Sequence, residues 1–311
     1  MNVEALRNTR EDILDCEVKD KSGLNDFQKM PNQVQIAIPR VGIERFRIPL
    51  MFEHGDGHTM NHDAEASMFV YLKASKTGAN MSRFCAILQE EGSKIPVNSA
   101  FYKKVLGRYR ADLRDFEDED LIEKAHLKLK FSYPVKQKSL KSENWGWQYY
   151  KCEWEGIENK DGRVLLYLTI QYEYSSTCPC SLSMSKQYEE EYRQGLTTEG
   201  SGIASAHSQR SVATVQVVYD VESGFSIERL IELLRIALPT ETQSLVKRVD
   251  EQAFAILNGD NPMFVEHSSR RISTVLDHED KILDWNAKVE HIESLHSHNA
   301  VAYIQKESPN Y

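Results

Sequence analysis

Little in this sequence points to a membrane, to secretion or to a nucleic-acid partner. No stretch of about 18 apolar residues exists, so no transmembrane helix is expected. The longest apolar runs, such as Val164–Ile170, have the length of a strand. Residues 1–30 are polar and lack an apolar signal core, which predicts no secretory leader. The five cysteines, at positions 16, 85, 152, 178 and 180, are odd in number and scattered. A disulfide framework is therefore not expected, and a cytoplasmic location is. Positive charge is also short: 38 Lys and Arg against 47 Asp and Glu give a net charge of −9. Long nucleic acid needs a basic face to neutralise its phosphates, so it is not an expected partner. The chain has no Walker loop, no Gly-x-Gly-x-x-Gly turn and no Gly-x-Ser-x-Gly elbow. Any nucleotide must be held in another way, and serine-hydrolase chemistry is disfavoured.

What is present is an ordinary globular composition, 41% hydrophobic and 27% charged over 311 residues, long enough for two domains. Residues 1–33 are polar without a sustained period and read as an arm. Phe46, Ile48, Leu50 and Phe52 alternate, as do Ala66, Met68, Val70 and Leu72, so each run predicts a half-buried strand. Between them Glu53–Asp63, with His54, His58 and His62 among glycines and aspartates, reads as a solvated hairpin. Met81–Glu91 and Asn98–Leu113 carry apolar residues at helical spacing, with Ser82 and Asn98 as expected N-caps. Strands follow at Leu127–Val135 and Trp147–Trp154, giving the order ββααββ. Trp145, Trp147 and Trp154 read as core or interface residues.

The second half is expected to repeat that order. Val164 to Tyr174 alternates, and so does Ala213 to Val221. Ser226–Leu238 reads as an amphipathic helix capped by Ser226, with further helices near Asp250–Leu257 and Pro262–His278. Strands fit Lys281–Glu293 and Asn299–Gln305. Ser183–Ser205 is polar, with a Glu-rich run before Gly and Ser, and reads as a mobile connection. The turn Glu158–Gly162 separates a first module, 34–160, from a second, 161–311. Antiparallel hairpins with helices on one face make an α+β class, and their open edges call for closure by neighbouring subunits.

Chemistry-bearing residues crowd the second half. Ser175–Ser181 (SSTCPCS) sets Cys178 and Cys180 around Pro179 at the end of a long strand. Cys-Pro-Cys is too tight for a Cys-x-x-Cys redox or zinc-ribbon pair, and suits one thiolate on a metal and a second facing a neighbouring site. It also fits two buried structural cysteines. Ala206–Ser211 (AHSQRS) brings His207 and Arg210. Leu245–Glu251 carries Lys247, Arg248 and Glu251, and Glu266 follows fifteen residues later. Glu293, His296 and His298 precede the last strand, and five of the ten histidines lie after residue 260. Thiolate, imidazole and carboxylate together suit a divalent metal, Zn, Fe(II) or Mn, with an open position for water. Arg83, Arg210, Lys247 and Arg248 are the candidate phosphate holders.

Seven of these pieces, in order, resemble the prokaryotic type IB GTP cyclohydrolases: PRVGI at 39–43, MSRF at 81–84, STCPCS at 176–181, AHSQRS at 206–211, KRVDE at 247–251, FVE at 264–266 and ESLHSHNAVAYI at 293–304. The resemblance implies two tandem tunnelling-fold modules, closed into a barrel within a homotetramer that has interfacial sites. It implies conversion of GTP and water to formate and 7,8-dihydroneopterin triphosphate, the entry to folate and related pterins, with one divalent metal per site. Carried over, Cys178, His207 and Glu251 match metal positions, and Glu293 and His296 match residues lining the same site. Glu266 matches the carboxylate that anchors the purine edge, and Cys180 falls near the reacting ring. The chain departs from the family's usual pattern at Asn80, where a histidine is expected, and in a 27-residue step from Cys180 to His207. Three other readings share the fold: an archaeal-type cyclohydrolase giving a cyclic phosphate, an inactive nucleotide-binding scaffold, and a nitrile reductase. The last needs a nicotinamide site for which the sequence offers no motif.

Overall fold

The computed structural model describes residues 16–20, 22–30, 34–114 and 121–307. Much of the expected N-terminal arm lies outside these residues. Its described part, 16–30, makes a Lys19–Asn25 bridge and a 3-10 turn at Phe27–Lys29. Gln28 donates from Nε2 to the carbonyl of Ala79 at 3.1 Å.

The first half follows the expected order. Strands β1 (Ile38–Glu53) and β2 (Thr59–Leu72) pair antiparallel. Helices α1 (Met81–Gly92) and α2 (Ser99–Asp112) follow, then strands β3 (Ala125–Lys138) and β4 (Trp145–Glu158). Alternation set the inward faces: Leu50, Phe52, Ala64, Ala66, Met68 and Val70 are all buried. Gly42 of the PRVGI motif lies against β2, where a Cβ would sit 1.8 Å from the Met68 carbonyl oxygen, so the motif needs glycine there. The pairing register shifts between Ile43 and Phe46, a bulge that places Arg45 at φ 60°.

Asn98 caps α2 as expected, accepting the Phe101 N–H at 3.0 Å. Ser82 does not cap α1. The chain enters that helix at Asn80, and the Ser82 hydroxyl donates to the Asn80 side chain at 3.0 Å. The His hairpin is not solvated throughout either. The strands run almost to the tip, so His54 and His62 turn inward and are buried, while His58 stays outside beside Asp56. Trp154 is in the core, but Trp145 and Trp147 are exposed.

The second half contains the expected strands with more helix between them. Strand β5 (Val164–Thr177) leads into helix α3 (Pro179–Arg193) and strand β6 (Ser208–Asp220). Helices α4 (Ile227–Ala237), α5 (Arg248–Asp260) and α6 (Val265–Asp277) precede strands β7 (Asp284–His291) and β8 (Ala300–Gln305). The first part of the supposed mobile connection, Ser183–Arg193, is thus in α3, started by Pro179 in its first turn, a position where the missing N–H costs nothing. The order is βαβαααββ, an elaboration of ββααββ. Ser226 caps α4 by accepting the Arg229 N–H at 3.2 Å. Helix α4 buries Ile227, Leu230, Ile231, Leu233 and Leu234.

Strand neighbours follow chain order from β1 to β8, antiparallel throughout the registers of β1–β2–β3 and β6–β7–β8. By packing, the chain forms two compact units, Met1–Lys130 with Trp154–Leu166, and Phe131–Glu153 with Tyr167–Tyr311. The division passes within β3, β4 and β5, while Glu158–Gly162 is the turn between β4 and β5. Among the described residues no helix is long and apolar enough to cross a membrane.

Candidate active site

The two motifs SSTCPCS and AHSQRS form a clasp where β5 ends and β6 begins. Their small polar residues hold one another. Ser176 Oγ meets Ser211 Oγ at 2.8 Å, Thr177 Oγ1 meets Ser208 Oγ at 2.8 Å, and Gln209 donates from Nε2 to Ser176 Oγ at 2.7 Å. Ser176, Gln209 and Ser211 are buried, so these hydroxyl and amide groups satisfy each other away from water. The clasp brings the backbone of Cys178 to that of His207, with the Cys178 N–H donating to the His207 carbonyl at 3.2 Å. The Ser181 hydroxyl accepts the His207 N–H at 3.2 Å. Cys178 is the N-cap of α3 and half-buried, and Cys180, two residues inside the helix, is exposed.

The His207 ring is oriented by Gln209, whose Oε1 lies 3.0 Å from Nδ1. Gln209 is held in turn by its bond to Ser176, and the arrangement suits the tautomer with the proton on Nδ1 and the lone pair on Nε2. Glu293 reaches the same ring, with Oε2 3.6 Å from Nδ1. It arrives there because the β6–β7 ladder pairs Ser211 with His291, and the Ile292 N–H still donates to the Arg210 carbonyl at 3.2 Å.

The remaining candidates are placed less closely. Glu251 lies in the first turn of α5, exposed, and Glu266 in the first turn of α6, also exposed. The connection to α6 is attached to the clasp, since the Met263 N–H donates to the Thr177 carbonyl at 3.0 Å. His296 and His298 lie in the β7–β8 connection, both exposed, with rings stacked at 4.8 Å. Lys247 and Arg248 begin α5 with exposed side chains, and Arg210 is exposed with Nη1 3.7 Å from Glu173. Arg83 belongs to the first unit. It donates to the Asp112 carbonyl at 3.2 Å and lines a cavity with Lys73, Lys76, Asn80 and Arg114.

The donor chemistry fits a divalent ion: a thiol, an imidazole with Nε2 available, and a carboxylate against the same ring. Among the described residues, however, no three Cys, His, Asp or Glu side chains converge tightly enough to hold one. The structure brings Cys178, His207 and Glu293 to one clasp and leaves Glu251, Glu266 and His296 on the ends of nearby elements in sequence terms.

Two residues escaped the sequence reading. His291 is buried, with Nε2 2.8 Å from the Tyr174 hydroxyl and 3.4 Å from Ser268 Oγ. Burial pushes its imidazole down to about 4, opposed by the charge of Glu266. Its inward place in the alternation of β7 was the available signal. Asp250 is fully buried beside Glu251, and its carboxyl is held below the usual range, chiefly by the Ser142 hydroxyl.

Comparison with known proteins identifies the family. Residues 24–302 match the family model for type I GTP cyclohydrolase folE2. A GTP cyclohydrolase FolE2 from Dinoroseobacter shibae is 36% identical over 94% of this chain and 76% of its own length. One from Cereibacter sphaeroides is 37% identical over 94% of this chain and 77% of its own. A uricase structure from Arthrobacter globiformis aligns at a TM-score of 0.45 and 9% identity over 88% of this chain and 95% of its own, too distant to bear on fold or function. On the family match and these relatives, the chain belongs to the type I GTP cyclohydrolase FolE2 family.

Proposed function

We infer that this chain is a GTP cyclohydrolase that converts GTP and one water to formate and 7,8-dihydroneopterin triphosphate, the first step toward folate. The observation that carries the reading is the clasp that joins Cys178, His207 and Glu293 within a chain matching the family from 24 to 302. Opening the imidazole ring of guanine requires water at C8, a carbon that becomes electrophilic only when N7 is protonated. A divalent metal, when bound, supplies the Lewis acidity that makes water nucleophilic near neutral pH. Its proposed holders are Cys178, His207 and Glu251, with Glu293 and His296 beside them; Zn, Mn and Fe all suit this donor set.

The other steps fall to the chain itself. Gln209 presents an oxygen to His207 Nδ1, which favours the tautomer that leaves Nε2 free. Glu293 adds a carboxylate oxygen on the same Nδ1 side of the ring, which supports that N–H and strengthens Nε2 as a lone-pair donor. Cys180, exposed at the start of α3, is assigned to the face of the reacting ring and to proton delivery there. Glu266 is assigned to the guanine edge, where its two oxygens accept the ring N–H and the amino group. Arg210, Lys247 and Arg248 are assigned to the triphosphate, and Arg83, in the first unit, is a separate candidate for phosphate.

The assembly we propose is a homotetramer of tandem tunnelling-fold modules. It is supported by β1 and β8, which end the strand order among the described residues, and by exposed Val249, Ile256, Leu295 and Tyr303. A light-scattering mass of four chains is the expected result, and an active monomer contradicts it.

The test of the function is to incubate metal-loaded protein with GTP and follow formate together with pterin fluorescence after oxidation. One formate and one pterin per GTP are expected. A product mass showing a cyclic phosphate would assign the archaeal-type reaction, and no product at all would leave only a binding scaffold. Glu266→Gln should keep the metal and lose at least about 100-fold in kcat/KM for GTP, because the site then meets a guanine donor with another donor. Loss of metal with GTP affinity intact would remove Glu266 from this role.

A further inference from the structure

We propose that Asp250 is a positioning residue that aims Glu251, and with it the cations Lys247 and Arg248, into the proposed site. The proposal rests on the reading of Glu251 as a metal ligand. Helix α5 is unusual in how it is held: Asp250 is its one buried residue, while Val249 and Ile256 are exposed. Ala253, Phe254 and Leu257 along the Asp250 side are only half-buried, so side packing holds the helix's rotation about its own axis weakly. Its first turn must be fixed at the end.

Asp250 does this with a saturated carboxylate. Oδ1 accepts the N–H groups of Lys141 at 2.7 Å and Ser142 at 2.8 Å. Oδ2 accepts the Ser142 hydroxyl at 2.6 Å and the Lys247 N–H at 2.8 Å. Three of the four donors come from the β3–β4 connection, about 108 residues earlier in sequence. The segment entering the helix is tied to the same hairpin. Ser139 donates to the Leu245 carbonyl at 2.6 Å, and Gln137 accepts the Ser244 N–H at 3.1 Å. Successive residues on a helix project about 100° apart. Pinning Asp250 toward the hairpin therefore sets the direction of Glu251, and pinning the Lys247 N–H sets where the two cations emerge.

A plain structural cap would lower stability and leave the affinity of the folded protein for metal alone. A positioning residue must move that affinity. The test strips metal from full-length protein and titrates it with Co(II). Uptake is read by thiolate-to-cobalt absorption, and the melting temperature of each metal-free form is recorded. Asp250→Asn keeps the shape but turns an NH2 group toward two of the four donors. It should weaken Co(II) binding about 10- to 100-fold while the thiolate band still forms at saturation. Ser142→Ala removes one bond and should weaken binding about fivefold; it carries the test if Asp250→Asn fails to fold. Glu251→Gln is the reference. If Glu251→Gln binds weakly but Asp250→Asn, or Ser142→Ala in its place, binds like wild type, the positioning role is overturned and the ligand reading stands. If Glu251→Gln itself binds like wild type, the ligand reading falls, and the proposal with it.

Discussion

Helix α1 buries Phe84, Ile87 and Leu88, and α2 buries Phe101, Tyr102, Val105, Leu106 and Tyr109. Helix α3 buries no residue, and α5 buries only Asp250. The charged groups differ in the same sense. On α1 and α2 they answer one another: Arg108 reaches Glu90 and Glu91 at 2.7 Å and Asp112 at 2.8 Å, and the buried Arg110 donates to Glu158 at 2.6 Å. On α5, Lys247, Arg248 and Glu251 make no ion pair among the described residues and face outward. A helix held by an apolar face has its orientation set by packing along its whole length. A helix held mainly by polar contacts at its N-terminus presents whatever that terminus carries. Here the termini carry Cys178 and Cys180 on α3, and Lys247, Arg248 and Glu251 on α5.

The comparison breaks if the two kinds of helix respond alike to substitution. The largest expected effect is on chemistry: Cys178→Ala should bring GTP turnover to background and lower metal content, with little change in the stability of metal-free protein. Full metal and activity in that variant would remove Cys178 from the site. The next effect is on stability. Phe101, fully buried in α2, should cost about 3–5 kcal/mol when cut to alanine, by lost burial and a cavity. Metal bound per folded chain should stay unchanged. Urea unfolding of both metal-free variants decides the matter, and equal destabilisation would erase the distinction.

The same contrast explains what could be read from the sequence. Strand β5 was legible because Val164 to Tyr174 alternates between two faces, and all its inward residues are buried. The caps Asn98 and Ser226 were legible because each precedes an apolar helical stripe. Helix α3 was not: with no buried face it has no apolar period, and its Glu-rich run reads as solvent-facing chain. The reactive residues stood out by type, but the groups that hold them did not. Gln209 against Ser176, and Asp250 against Ser142, are pairs 33 and 108 positions apart, and no local spacing encodes them. His54 and His62 misled in the other direction, because the glycines and aspartates between them describe the tip and not the strands that continue inward.

That histidine pair gives the smallest and sharpest test, since it is a buried polar contact in the first unit to which no part of the chemistry is assigned. The Nε2 atoms of His54 and His62 lie 3.1 Å apart, and His58 stacks on His54 at 4.6 Å. One neutral imidazole donates to the other, so protonating the acceptor would set two N–H groups face to face and bury a charge. Burial, with the nearby His54, pushes His62 down to about 4, below the ordinary 6.5. The unfolded chain therefore takes up this proton first as the pH falls. The contact's stability is fully present above about pH 6.5 and is lost progressively as the pH falls toward 4, by an amount on the order of 1 kcal/mol after screening at the wet rim of the hairpin. His62→Gln removes the titration and keeps a polar side chain. Melting temperature followed from pH 7 to 4 should fall less steeply in this variant than in wild type, while GTP turnover at pH 7 is retained. Parallel curves would show that the pair does not govern acid stability, and lost turnover would show that the first unit's polar contacts serve the site as α5's do.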